Sequence, residues 1–141
     1  MPVSTDDYVS ISDFFGRYCW RVDSGDEEGW AALWAEDGVF AGVMPEPVVG
    51  REALKAIPRG AFASSGGKLR HHVGSLNCDY DGADRDVVIA RYYNLVTNWV
   101  NGGAFTSDAG TVANGASVRL RVVSSSEYST TVSAVLTIGD V

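Results

Sequence analysis

The chain has 141 residues, of which 45% are apolar and 21% charged, and its net charge is −7. These values suit one globular domain spanning residues 1–141, with enough chain to bury a core. Acidity of this size opposes binding to phosphate backbones and anionic membranes, so neither nucleic acid nor membrane is expected as a partner.

No apolar run approaches the ~18 residues of a membrane span. The start, Met-Pro-Val-Ser-Thr-Asp-Asp, has neither the basic nor the apolar region of a secretory signal. A cytoplasmic location and reduced thiols at Cys19 and Cys78 follow as expectations. No close Cys/His pair suggests a metal, and Gly66-Gly67 lacks the frame of a phosphate loop, so no metal or other cofactor is expected.

In chain order, residues 5–21 predict a helix. Tyr8, Ile11, Phe14, Phe15, Tyr18, Cys19 and Val22 recur at three- and four-residue spacing. Ser4 or Thr5 supplies the cap, and Ser24-Gly25 ends the helix. Asp23 therefore stands where the helix stops. Residues 26–35 predict a second helix, with Asp26 as its cap and Trp30, Leu33 and Trp34 on its buried stripe. Residues 39–43 predict a short strand. Residues 50–57 predict a third helix ended near Pro58, followed by a flexible loop over 59–68.

Strands follow over 69–80, 86–100, 104–123 and 127–138. Turns are expected at Asp81-Gly82-Ala83-Asp84 and Asn101-Gly102-Gly103, an interruption at Asn114-Gly115, and a break at Ser124-Ser125-Ser126. Helices first and strands afterwards imply an α+β fold in which a mostly antiparallel sheet closes over helices.

Several stretches carry a family resemblance. They are Arg17-Tyr18-Cys19-Trp20-Arg21-Val22-Asp23-Ser24-Gly25-Asp26, Trp30 to Phe40, Gly50-Arg51-Glu52-Ala53-Leu54, and Arg70-His71-His72-Val73-Gly74. In this order they resemble the SnoaL-like branch of the NTF2-like superfamily, across roughly residues 5–100. The resemblance implies a cone-shaped α+β barrel, with three N-terminal helices packed on a curved sheet. It also implies a homo-oligomer, dimer or trimer, formed through the exposed sheet face.

In the dehydratase and dehydrochlorinase relatives, an aspartate after the first helix pairs with a histidine on the strand after the third. By position these resemble Asp23 and His72. The relatives' other groups differ here. Val22 stands where a tyrosine precedes the aspartate, Asn98 where a second histidine lies, and Phe40 where a tyrosine polarises the substrate carbonyl. Residues 104–141 lack the usual closing Asp-Gly-Trp.

An imidazole titrates near neutrality, and an aspartate on one ring nitrogen leaves the other free to accept a proton. Asp23 and His72 are thus the expected acid/base pair across an apolar pocket. His71, of opposite strand parity, is expected to face outward or into a subunit contact. Cys78 shares parity with His72 and is expected inside as core filling.

Tyr18, Trp20, Phe40, Tyr92, Asn94 and Asn98 are the expected substrate-binding residues. If the other face of the 86–100 strand is inward, Tyr93, Leu95, Thr97 and Trp99 replace its members. The expected activity is a cofactor-independent lyase or isomerase, dehydratase-like, acting on a small apolar or polycyclic substrate. The alternative is a non-catalytic ligand-binding or oligomerisation module. A polyketide cyclase or epoxide hydrolase is a further alternative.

Overall fold

The computed structural model describes residues 1–41 and 43–98 in full, and the backbone alone of residues 110–123 and 131–138. Helix α1 spans Thr5–Ser24. Its N-cap is Ser4, whose side chain accepts from the Asp7 N–H at 3.1 Å. Its buried stripe is Ile11, Phe14, Phe15 and Val22, with Asp23 at the margin.

Gly25 ends α1 in the left-handed region at φ 71. A Cβ there would lie 2.9 Å from Phe62, so both dihedral and close approach require glycine. Helix α2, Glu27–Ala31, is capped by the Asp26 side chain. It is shorter than predicted, because the chain leaves the helix by turns before Trp34. Strand β1 is only Val39–Phe40, and it pairs antiparallel with β2, Val48–Val49.

The predicted third helix is two helices, α3 (Arg51–Leu54) and α4 (Ala56–Ser65). Pro58 does not stop a helix. It occupies the first turn of α4, where its missing N–H costs nothing. The expected loop over 59–68 is therefore largely helical.

Strands β3 (Leu69–Asp81) and β4 (Asp84–Asn98) form a hairpin turning at Gly82-Ala83, with Gly82 at φ 62. Strands β5 (Gly110–Val123) and β6 (Thr131–Ile138) complete a six-stranded sheet of order β2-β1-β6-β5-β4-β3. Among the described strands only the β1–β6 contact is parallel. The expected α+β architecture is thus present, with helices preceding a mostly antiparallel sheet. Residues 99–100, the Asn101-Gly102-Gly103 turn and the Ser124-Ser125-Ser126 break lie outside the described residues.

Besides a register shift at Tyr80/Asp81 beside the hairpin turn, two irregularities shape the sheet. Between Gly74 and Asn77, β3 advances three residues while β4 advances two, from Tyr93 to Arg91. The extra residue is a β-bulge, marked by Ser75 at φ 52. A second shift sets Tyr92 opposite Ala116 and Asn94 opposite Ala113, so Asn114-Gly115 marks a bulge in a continuous β5.

The core joins α1 to the sheet. Phe14 and Phe15 meet Trp30, Trp34, Phe40, Leu54, Cys78, Tyr80, Val88, Ala90 and Tyr92 in one apolar cluster. Outside it, the N-terminal residues run along the edge of β3, where the Tyr80 N–H donates to the Met1 carbonyl at 2.9 Å. The Tyr80 hydroxyl accepts from the Ser4 N–H at 3.2 Å and donates to Asp7, tying the start of α1 to β3.

Candidate active site

Asp23 lies in the last turn of α1, one turn beyond Cys19 and next to the buried Val22. It is only 8% exposed. Removing a carboxylate from water is costly unless its oxygens are bonded. Both are bonded, and to one residue. Oδ1 lies 2.7 Å from His71 Nδ1, and Oδ2 accepts the His71 backbone N–H at 2.9 Å. This two-point clasp fixes the imidazole in orientation and tautomer. With the carboxylate ionised, Nδ1 carries the proton and Nε2 presents its lone pair.

The expected pairing of Asp23 with His72 is therefore corrected to His71. His72 is exposed, on the opposite sheet face, with Nε2 3.1 Å from the Thr97 hydroxyl. The cause is the bulge at Gly74–Asn77. Before it, odd positions Leu69, His71 and Val73 face α1. After it, even positions Leu76, Cys78 and Tyr80 do so. Cys78 is inside as expected, yet its shared even number with His72 carries no shared face. The signal was in the sequence: apolar residues occupy 69 and 73, then 76, 78 and 80. A switch in period-two phase marks a bulge and puts His71 on the apolar phase.

On β4 the even face packs against the helices at Val88, Ala90 and Tyr92, while Thr97 on the odd face is also buried, at 3% exposure. His71 stands opposite Val96, Val73 opposite Asn94, and Leu69 opposite Asn98. Asn94 and Asn98 are thus the diagonal neighbours of His71 on that face. Tyr92 is buried on it, its ring 4.6 Å from that of Phe15 and tilted 58° to it. Tyr93, on the other face, is 63% exposed.

Tyr18 is half-buried on α1, against Trp30 at 5.3 Å. Phe40 is buried between Trp30 and Trp34, as core. Trp20 is corrected. It is 76% exposed, because two steps along a helix from Tyr18 point to the opposite side.

The electrostatics keep the surrounding acids protonated. Burial, then the neighbouring Tyr92, Cys19 and Asp23, hold the Tyr18 hydroxyl well above the usual phenol range. Burial, then Asp23, pushes the Cys19 thiol up to about 12. Burial, then Cys19, raises the Tyr92 phenol. These shared influences locate Tyr18, Cys19, Tyr92 and Asp23 in one neighbourhood.

The arginines that flank Asp23 and His71 in sequence are engaged elsewhere. Arg21 donates to the Gly29 carbonyl, and Arg70 to the carbonyls of Gly67 and Leu69. Among the described residues, no group of three or more His, Cys, Asp or Glu could hold a metal ion. No helix among them is long and apolar enough to cross a membrane.

The arrangement, helices packed on one face of a mostly antiparallel sheet, is that of an NTF2-like protein. The chain belongs to the SnoaL-like domain family, whose model matches residues 3–127. That superfamily includes polyketide cyclases, isomerases and dehydratases. No curated protein matches the chain.

Among solved structures, Aln2 from a Streptomyces species is 27% identical with a TM-score of 0.73, covering 96% of this chain and 93% of its own. An NTF2-like protein with a cystatin-like fold from Novosphingobium aromaticivorans is 26% identical with a TM-score of 0.61, covering 84% and 73%. ActVI-ORFA from Streptomyces coelicolor shares the fold at 20% identity and a TM-score of 0.69, covering 92% and 95%.

Proposed function

We propose that the protein is a cofactor-independent lyase or isomerase of dehydratase type, with His71 as general base and acid and Asp23 as its orienting partner. The observation that carries this is the two-point clasp of His71 by a buried carboxylate, at 2.7 and 2.9 Å. An aspartate 8% exposed is an expensive way to fix a strand, so a chemical purpose is the better account.

The step is an elimination. His71 Nε2 takes a proton from the carbon beside a carbonyl. The electron pair expels the hydroxyl on the next carbon, forming the conjugated double bond. The imidazolium returns its proton to the departing oxygen, which leaves as water. Asp23 stabilises the transient imidazolium throughout. Acid/base help of this kind contributes roughly 10²–10⁴-fold.

The test uses the neutral bicyclic ketone indanone and its β-hydroxy derivative. The wild type is expected to convert the hydroxy ketone to the conjugated enone. It is also expected to exchange the protons beside the indanone carbonyl with solvent deuterium. His71→Ala should lower both by roughly 10²–10⁴-fold, while His72→Ala leaves both within about twofold. Equal activity in wild type and His71→Ala would sink the assignment.

A further inference from the structure

Asn94 sits on the same face of the sheet as His71 and diagonal to it, and its carboxamide oxygen has no partner among the described residues. Oδ1 is shut off from solvent, and no donor among the described residues bonds to it. Leaving a buried acceptor unpaired is costly, and nearly all such atoms in folded proteins are satisfied. An orphan next to a clasped histidine is a recognition group awaiting its donor. Trp30 and Trp34 also have unpaired indole N–H groups, but both rings are buried in the aromatic core, in contact with each other and with Phe40.

The missing partner must be a donor. No side chain among the described residues supplies it, and Arg21 and Arg70 are tied to backbone carbonyls. Asp23 adds a negative charge to the same face, so an anionic ligand would be repelled. A neutral molecule with a hydroxyl satisfies both conditions.

Diagonal cross-strand neighbours have Cβ atoms roughly 7–8 Å apart, near enough for one small molecule to touch both side-chain tips. We propose that Asn94 is the specificity-determining residue, and that it selects a neutral hydroxy ketone by accepting the hydroxyl proton at Oδ1. This rests on the His71 reading above and adds to it the residue that recognises the substrate's hydroxyl. With its hydrogen held by Asn94, the hydroxyl oxygen turns a lone pair toward His71, which is the geometry for receiving the returned proton. Asn94 takes no part in bond breaking. It positions the leaving group.

A site built to pair with a hydroxyl rejects the analogue lacking it, because its own polar atom is then left unpaired. The experiment measures affinity for indanone and for its β-hydroxy derivative by rapid mixing, before the hydroxy compound is turned over, in four proteins. Wild type should favour the hydroxy compound by about tenfold, the equivalent of one hydrogen bond. Asn94→Leu, of similar volume without an acceptor, should bind both equally while keeping its affinity for indanone. Asn94→Asp, which retains an acceptor oxygen, should keep the preference.

His71→Ala should keep the preference too while losing turnover, which separates failure of recognition from failure of the chemistry. A wild type without preference would overturn the proposal, as would a preference that survives in Asn94→Leu or vanishes in Asn94→Asp.

Discussion

One carboxylate with two bonds to one residue sets the behaviour of the candidate site. Asp23 holds the ring of His71 through Nδ1 and its backbone through the amide. Replacing Asp23 by Asn exchanges one acceptor for an NH₂ donor, which cannot face the Nδ1–H. The ring must then place its proton on Nε2, leaving no base toward the substrate. Asp23→Asn should therefore lower turnover by roughly 10²–10⁴-fold. Nitrogen NMR of the two imidazoles should show His71 switching tautomer and His72 unmoved. If His72 alone responds, the clasp is assigned to the wrong ring.

The neighbouring thiols give a second residue-scale outcome. Burial, then Asp23, raises Cys19 from 9.0 to about 12, and burial, then Asp79, raises Cys78 from 9.0 to about 11. The native state then keeps protons that the unfolded chain releases. Their contribution is therefore present below the unfolded value and declines as pH rises from 9 toward 11 and 12. Native thiols should react with a disulfide reagent at pH 8 far more slowly than unfolded ones. Equal rates would show that the thiols are neither buried nor protonated as described.

At the scale of elements, the bulge in β3 decides which histidine meets the helix. A strand without it would keep one parity throughout, and aligning Cys78 and Tyr80 inward would turn His72 inward as well. The extra residue lets His71 and Cys78 share a face. Ser75 carries the conformational cost at φ 52, a region small polar residues tolerate and β-branched ones do not. Ser75→Val should destabilise the protein by about 1–2 kcal/mol in denaturant unfolding. Ser75→Gly should leave stability within about 1 kcal/mol. A neutral Ser75→Val would mean the bulge is not fixed there.

For the whole molecule, the first short strand lies beside the last, since β1 pairs in parallel with β6. Strands from opposite ends of the chain thus join one sheet, and α1 packs against β3 and α4. Leu54 is fully buried in the common core. Truncating it leaves a cavity that the helices and sheet share, so Leu54→Ala should cost about 2–5 kcal/mol. A cost under about 1 kcal/mol would indicate that α3 is not part of the cooperative unit.

Local information sufficed for much of this. The stripe from Ile11 to Val22, the Ser4 and Asp26 caps, the left-handed Gly25 and the Asp81–Asp84 hairpin were legible because each depends on residues within a few positions. So were the order of helices before strands and the place of Asp23 at the end of α1. Pro58 was misread because its effect depends on where the helix begins, which packing of α4 beneath α1 decides. The histidine partner was decided by tertiary structure. Side-chain direction on a strand reverses with one inserted residue, and the bulge exists only where β3 is paired with β4. The sequence therefore determined that Asp23 would seek a histidine on that strand, and only the pairing of the sheet decided that it is His71.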